Sequence, residues 1–241
     1  MRRFWIIAAA PLLALPAVGH AQDAVNAGDD ESDGVAAGPF EIDAEVGVHT
    51  DYRFRGISLS DKDPEVTAEL SVSHESGLYA GVWASNVALD GKADDVELDL
   101  YAGFSPDVGA VGFDIGAVYY LYPGNSDFNY AELLASASTS LGPAEVTAGI
   151  AYAPSQDALG DEDNTYIYVS ADVGIPATAL SVHGTFGIED GAFADNKKDW
   201  LIGVSYELPF GLTATVDYVD TARSFTPLGD ATVVGRLSYA F

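Results

Sequence analysis

Charged residues and histidines alternate with apolar residues along most of this chain, and they are the groups that could carry chemistry. His49 and Asp51 lie two residues apart in one such run, so both fall on one face of an extended strand. With a nearby serine they could activate a nucleophile, but the pattern is unspecific. His183 also falls on a polar face, where a lone histidine is more often a hydrogen-bonded wall residue. We therefore expect no enzyme activity, and a hydrolase is the alternative class.

The composition limits the possible ligands. The sequence has no phosphate-cradling loop, metal-ligand cluster or nucleotide fingerprint, so we expect no cofactor and no bound metal. Its 37 acidic residues outnumber 10 basic ones, for a net charge of −27, which disfavours nucleic acid as a partner. No cysteine occurs, so disulfides and thiol chemistry are excluded.

Period-two alternation of apolar and polar residues predicts the elements that position these groups. The first run extends from Glu41 to Arg55 and the last ends at Phe241. Between them we count ten more, at 66–72, 78–85, 96–104, 111–121, 131–137, 146–152, 165–173, 180–188, 200–206 and 212–218. Twelve strands can close into an antiparallel barrel with both termini at one rim. The sequence therefore predicts an all-β fold, a closed transmembrane β-barrel of twelve strands.

The N-terminus predicts export. Arg2 and Arg3 precede an apolar stretch and a small-x-small site that ends at Ala21, which is typical of a cleaved signal peptide. We expect a signal peptide over 1–21, an acidic disordered periplasmic tail over 22–38 and the barrel over 39–241. Loss of the two leader arginines would leave eight basic residues against 37 acidic ones.

Loop lengths and aromatic residues predict the orientation of the barrel. Longer polar connections, including those around 154–163 and 189–196, alternate with short Gly or Pro turns. In outer-membrane barrels the long loops face the outside and the short turns face the periplasm. Aromatic residues on the apolar parity cluster at strand ends and predict two girdles at the membrane interfaces. They are Tyr52, Phe54, Tyr119, Tyr152, Phe186, Trp200 and Tyr218 on the long-loop side, and Phe104, Phe113, Tyr206, Tyr239 and Phe241 on the other.

Five stretches resemble the TorF-type porin family. They are DYRFRGIS (51–58), HESGLYAGVWASNV (74–87), ELDLYAGF (97–104), YYLYPG (119–124) and NYAEL (129–133). The resemblance covers nearly all of the barrel region and implies an outer-membrane barrel that acts as a passive channel. It implies no particular solute.

The polar parity is expected to line the lumen. The pore-lining candidates are Arg53, Arg55, Arg236, Asp43, Glu45, Asp51, Glu69, Glu97, Asp99, Asp114, Glu132, Tyr101, Tyr120, Tyr166 and Tyr168. Because the first and last strands meet on closure, we expect the three arginines along one seam and acids over the remaining wall. Such a lumen favours cations.

Several roles remain open for these residues. The arginines could neutralise nearby acids, with Arg236 beside Asp43 or Glu45 and Arg53 beside Asp51 or Glu69. Alternatively, Arg53 and Arg55 form a constriction near the outer rim. The tyrosines either form an aromatic track for a solute or fill the lumen. Residues 78–85 are ambiguous in phase, so Tyr79 and Trp83 could face either the lumen or lipid.

The function that this pattern favours is a narrow, cation-preferring passive channel for small hydrophilic solutes in the outer membrane, with both termini periplasmic. Expected partners are outer-membrane lipid and, through the last strand ending in Phe241, the barrel-assembly machinery. The alternative is a plugged structural or partner-binding barrel.

Overall fold

The computed structural model describes residues 38–89 and 92–241, in which nearly every residue of a regular element belongs to a β-strand. The strands are β1 Phe40–His49, β2 Arg53–Phe54, β3 Ile57–Ser58, β4 Glu65–His74, β5 Leu78–Leu89, β6 Lys92–Phe104, β7 Asp107–Val108, β8 Val111–Leu121, β9 Tyr130–Leu141, β10 Ala144–Ala153, β11 Asn164–Gly174, β12 Leu180–Gly191, β13 Ala194–Leu208, β14 Leu212–Ala222 and β15 Thr232–Ala240. Three 3₁₀ turns cover Ser126–Phe128, Asp157–Leu159 and Pro227–Gly229. The predicted signal peptide and nearly all of the predicted acidic tail lie outside the described residues.

The twelve long strands form a closed antiparallel barrel, which confirms the predicted fold class. Each strand pairs with its neighbour in the chain, and β15 pairs with β1 to complete the ring. The backbone of Phe241 extends this last pairing, because its N–H donates to the carbonyl of Ala44 at 3.0 Å and its own carbonyl accepts from the Ala44 N–H at 3.1 Å. The ring has no free edge at which another strand could add.

The outer face of the barrel is an apolar belt. Side chains of one parity, such as Val66, Leu100, Ile167 and Ile202, are exposed around the ring, while the polar parity faces inward. Exposed apolar surface on this scale is typical of a lipid-facing barrel, not of a monomer in water. Within 38–89 and 92–241 no helix is long and apolar enough to cross a bilayer.

The structure corrects two details of the sequence prediction. Tyr52 and Phe54 are 3 % and 1 % exposed and lie inside the barrel, so they belong to no girdle, whereas Tyr119, Tyr152 and the other predicted girdle residues lie on outward-facing positions. The segment 189–196 is not a long loop, because β12 and β13 extend through it and only residues 192 and 193 separate them.

The phase of β5 is resolved. Trp83 is buried and packs against Tyr52 in the interior, whereas Leu78 is exposed on the outer face. Tyr79 donates a hydrogen bond at 3.0 Å to Asp114, which lies on the lumen wall. Both aromatic residues therefore narrow the lumen.

Inward glycines give the tyrosines room to lie along the wall. Gly81 lies directly opposite Tyr101 in the β5–β6 register, and Gly149 lies opposite Tyr168 in the β10–β11 register. A Cβ added at either glycine would collide with the ring of its tyrosine. The tyrosine rings thus occupy space that only glycine leaves open.

We expect Gly81→Ala to lower the free energy of unfolding by about 1–3 kcal/mol, the usual cost of overpacking a filled interior. The displaced Tyr101 would also lose its hydrogen bond to Glu69. Urea unfolding of the refolded barrel measures this loss. Gly174→Ala is the control, because a Cβ there meets no atom within 4 Å. Equal unfolding midpoints for the two variants would contradict the packing argument.

Candidate functional site in the lumen

The first strand ends at His49, and residues 51–60 turn into the barrel as a small hairpin, here called the luminal hairpin. Its strands β2 and β3 pair Arg53 with Ser58 and Phe54 with Ile57. Arg55 and Gly56 form the turn with φ of 45° and 83°. Two positive φ values are typical of a type I′ turn, which glycine adopts freely and arginine only at a cost of about 1–2 kcal/mol. The hairpin therefore holds Arg55 at its tip in an unfavourable backbone conformation, and contacts elsewhere must offset its free-energy cost.

Those contacts are made on the far wall of the barrel. Arg55 donates from Nη2 to Oε2 of Glu132 on β9 at 2.7 Å, and from Nη1 to Oε1 of Glu189 on β12 at 2.9 Å. Its guanidinium also lies 4.5 Å from the centroid of the Tyr166 ring. All of these residues are at most 5 % exposed. Because β9 and β12 lie across the ring from β1, the hairpin spans the lumen.

A lysine completes this ion cluster. Nζ of Lys197 lies 2.8 Å from Oε2 of Glu189 and 3.5 Å from Oδ2 of Asp199, and it also donates to the backbone carbonyl of Arg55. Tyr166 donates to Asp199 at 2.9 Å, and the amide of Asn164 donates to Glu189 at 3.1 Å. Glu189 thus accepts hydrogen bonds from three side chains in a site without water access, where such bonds are strongest.

The base of the hairpin is held by a second set of polar contacts. Nε of Arg53 donates to Asp51 at 2.6 Å, and Nη1 donates to the carbonyls of Leu228 at 2.8 Å and Asp230 at 3.1 Å. Ser58 donates to the other oxygen of Asp51 at 2.6 Å. Arg53 therefore pairs with Asp51, one of the two partners considered from the sequence, and ties the hairpin to the β14–β15 loop.

Mostly aromatic side chains fill the remaining space around the hairpin. Tyr52, Phe54 and Leu59 belong to a buried cluster with wall residues including Trp83, Tyr120, Tyr122 and Tyr130. The rings of Tyr120 and Tyr130 are 4.4 Å apart between centroids. In this part of the lumen the tyrosines fill space and leave no open track along the wall.

The loop-rich half of the lumen is closed to solvent around its circumference. All of the barrel strands other than β1 contribute at least one buried inward side chain, namely Thr67, Val87, Glu97, Tyr120, Glu132, Ala153, Tyr166, Glu189, Asp199, Val219 and Val234. We call this part of the lumen the closed layer. The luminal hairpin fills its centre with buried side chains, including Tyr52, Phe54 and Arg55.

The buried charges are unbalanced. Among the described residues, buried acids outnumber buried bases eight to two: Asp51, Glu65, Glu97, Asp99, Glu132, Glu189, Asp199 and Asp217 against Arg55 and Lys197. Both carboxyl oxygens of Asp99, and Oε1 of Glu132, have no hydrogen-bond partner within the described part of the chain. Burial disfavours the ionised form of a carboxyl group that has no partner, so these groups accept either a proton or a cationic partner.

The other half of the lumen is open and forms an acidic vestibule on the side where β1 begins and β15 ends. Glu45, Glu145, Asp172 and Glu207 are exposed there on inward-facing positions, and Asp43, Glu69 and Asp114 are partly buried. Arg236 is also exposed on the inward parity of β15, and across 38–89 and 92–241 it makes no ion pair within 4.0 Å. The pairing of Arg236 with Asp43 or Glu45, considered from the sequence, is therefore absent.

The structure brings together only some of the predicted pore-lining residues. Arg55, Glu132, Tyr120 and Tyr166 meet in the closed layer, and Tyr101 and Glu69 meet by a hydrogen bond nearer the vestibule. The expected seam of three arginines is wrong, because Arg55 reaches across the lumen to β9 and β12. Arg53 remains beside the β14–β15 loop.

Sequence reasoning missed Glu189, Lys197 and Asp199, because they were assigned to a loop or its edge. All three continue the inward parity of β12 and β13. The two lumen histidines contact wall carboxylates, His49 with Glu65 at 3.0 Å and His183 with Asp217 at 2.8 Å.

Comparisons with known proteins agree with the fold. A family model described as "Bacterial protein of unknown function (Gcw_chp)" matches residues 33–236. No curated protein matches the chain in sequence. Among solved structures, a KdgM porin has 7 % sequence identity and a TM-score of 0.57, with 83 % of this chain and 97 % of the porin covered. A KdgM porin "in complex with disordered oligogalacturonate" has 8 % identity and a TM-score of 0.58 at the same coverage. A NanC porin has 12 % identity and a TM-score of 0.51, covering 83 % of this chain and 98 % of that one.

Proposed function

Because the chain belongs to the Gcw_chp family of bacterial proteins and folds as a closed twelve-stranded barrel, we propose that it is an outer-membrane channel for small hydrophilic solutes. One observation carries the proposal: an apolar belt faces outward while charged side chains face a vestibule that is open at one end. A barrel with this distribution suits lipid outside and water inside. The similarity to porin structures supports the fold on which the proposal depends.

The acidic wall gives the channel a preference for cations. Asp43, Glu45, Glu69 and Asp114 place negative charge along the vestibule, while Arg236 is the basic residue that shares this space in the described chain. Charged walls raise the local concentration of ions of opposite sign. The same wall would repel a polyanion such as the oligogalacturonate bound to the KdgM porin, so the solute class differs from that ligand.

The topology suggests the orientation. The start of β1, the end of β15 and the short turns lie at the vestibule end, and the longer loops at the closed end. We infer that the vestibule faces the periplasm, that Phe241 at the end of the closing strand is presented to the barrel-assembly machinery, and that the outer face contacts outer-membrane lipid. The TorF-type porin identity suggested by the sequence is part of the same proposal.

Single-channel recording in a planar bilayer under a salt gradient tests the function. We expect discrete steps with a reversal potential that indicates preference for cations. Neutralising vestibule acids with Asp43→Asn and Glu45→Gln should lower the cation preference by up to about fivefold, because a charge 4 Å from a passing ion contributes about 1 kcal/mol in water. Asp195→Asn, exposed at the other end of the barrel, is the matched control. An unchanged reversal potential in the vestibule variant would contradict the role of these acids.

A second candidate is a permanently closed barrel that binds a partner through its outer loops. The closed layer is the observation that favours it, since the luminal hairpin fills that half of the lumen. A folded protein that never conducts, even after removal of the hairpin tip, would favour this candidate over the channel.

A further inference from the structure

The far wall of the closed layer has the chemistry of a cation-recognition site, and one side chain of the same chain occupies it. Glu132 and Glu189 each offer one carboxylate oxygen to one of the two amino groups of Arg55, at 2.7 and 2.9 Å. The ring of Tyr166 contacts the same guanidinium at 4.5 Å. We call Glu132, Glu189 and Tyr166 the guanidinium cradle.

The cradle matches a guanidinium better than an ammonium ion. A planar guanidinium presents two amino groups that can bind two separate carboxylates while its face rests against an aromatic ring. The other oxygen of Glu189, Oε2, already pairs with the side-chain ammonium group of Lys197, whose Nζ lies 2.8 Å away. The two oxygens of Glu189 thus pair with different cations, Oε1 with the guanidinium of Arg55 and Oε2 with the ammonium of Lys197.

Two observations indicate that the site has more hydrogen-bond acceptors than Arg55 uses. Oε1 of Glu132 is fully buried and has no hydrogen-bond partner among the described residues. Asp99, on β6, is also buried, and neither of its oxygens bonds to a basic side chain in the described residues. Pairing with Arg55 alone does not account for these additional buried acids, which destabilise a fold when they have no partner.

We propose that the guanidinium cradle is a binding site for small guanidinium-bearing solutes, and that Arg55 is its built-in occupant. An external guanidinium competes with Arg55, and its binding displaces the tip of the luminal hairpin from the lumen. The displacement would open the closed layer to the same cationic solutes that the wall attracts. This last step rests on the proposed channel function, whereas binding to the cradle does not.

Chemical rescue tests the site. In Arg55→Ala the cradle lacks its occupant, so guanidinium chloride at millimolar concentration should raise the thermal unfolding midpoint relative to equal sodium chloride. The guanidinium concentration that gives the same shift should be at least roughly tenfold lower than in the wild type, because Arg55 occupies the site most of the time in the native chain. Arg223→Ala is the control, since Arg223 is exposed and pairs loosely with exposed Asp195 at 3.5 Å. If Arg55→Ala does not refold, Arg55→Lys serves instead, because its ammonium cannot bind both acids at once.

Two results would overturn the proposal: equal shifts with guanidinium and sodium, or the same guanidinium response in Arg55→Ala and Arg223→Ala. Loss of the rescue in Arg55→Ala/Glu132→Gln would assign it to the cradle. The stability measurement requires no conduction. Rescue in a barrel that stays silent in bilayers would therefore support the cradle and reject the channel, while a conducting barrel without rescue would reject the cradle alone.

Discussion

Replacing residues 53–58 by two glycines is expected to convert a mostly closed barrel into one that conducts steadily, with a several-fold larger mean current in a planar bilayer. The replacement removes Arg55, which spans the lumen to Glu132 and Glu189. The ends of the excised segment are already adjacent, because the N–H of Leu59 donates to the carbonyl of Tyr52 at 2.8 Å. A two-residue connection can therefore close the gap as a tight turn.

The open state of this variant should be strongly cation-selective. Without Arg55, the wall of the closed layer keeps Glu97, Asp99, Glu132, Glu189 and Asp199 against Lys197. Glycine replacement of the exposed turn residues 176–178 at the opposite rim is the control and should leave the current unchanged. A folded hairpin variant with the same mean current as the wild type would show that the hairpin is not what closes the lumen.

The barrel was predictable from sequence because a strand between lipid and water must alternate at each residue. Runs such as Val96 to Phe104 contain that alternation without interruption, and β6 has the predicted facing there. The count of twelve and the antiparallel closure follow from the same pattern. These features depend on local residue order, which a single sequence contains in full.

The luminal hairpin was missed because it also alternates. Tyr52 and Phe54 continue the apolar parity of β1, and periodicity separates two faces without saying which environment each face meets. Both rings are buried against aromatic residues inside the barrel instead of in lipid. The available signal was Arg55-Gly56, since a residue followed by glycine is typical of the I′ turn that the structure contains.

The ion cluster was missed for a different reason. Beyond the membrane a strand can be polar on both faces, so alternation fades although the strand continues. Lys198 faces outward on β13, whereas its neighbours Lys197 and Asp199 face inward. In the sequence the three form an uninterrupted charged run, which is typical of a loop. Which acids these residues meet depends on the closure of the ring and on the hairpin, neither of which is local.

Glu189→Ala is expected to be among the most destabilising single substitutions in the described chain, with a loss of about 3–5 kcal/mol in the free energy of unfolding. The change removes the acceptor of Arg55 at 2.9 Å, of Lys197 at 2.8 Å and of Asn164 at 3.1 Å. Two buried cations would then have fewer counter-charges, and breaking one partner of a buried pair costs more than the pair itself contributes. Urea unfolding of the refolded barrel measures the loss.

Tryptophan fluorescence can show where that stability resides. Trp83 packs against Tyr52 of the luminal hairpin at 5.6 Å between ring centroids, so with Trp5 and Trp200 replaced by Phe its emission reports on the hairpin. We expect the Trp83 signal of Glu189→Ala to change at lower urea than the loss of β-sheet signal, since the hairpin loses its anchor before the ring opens. Asp195→Ala, which removes an exposed partner of Arg223, should shift neither transition. Coincident, unshifted transitions in Glu189→Ala would mean that the cluster does not hold the hairpin in the lumen.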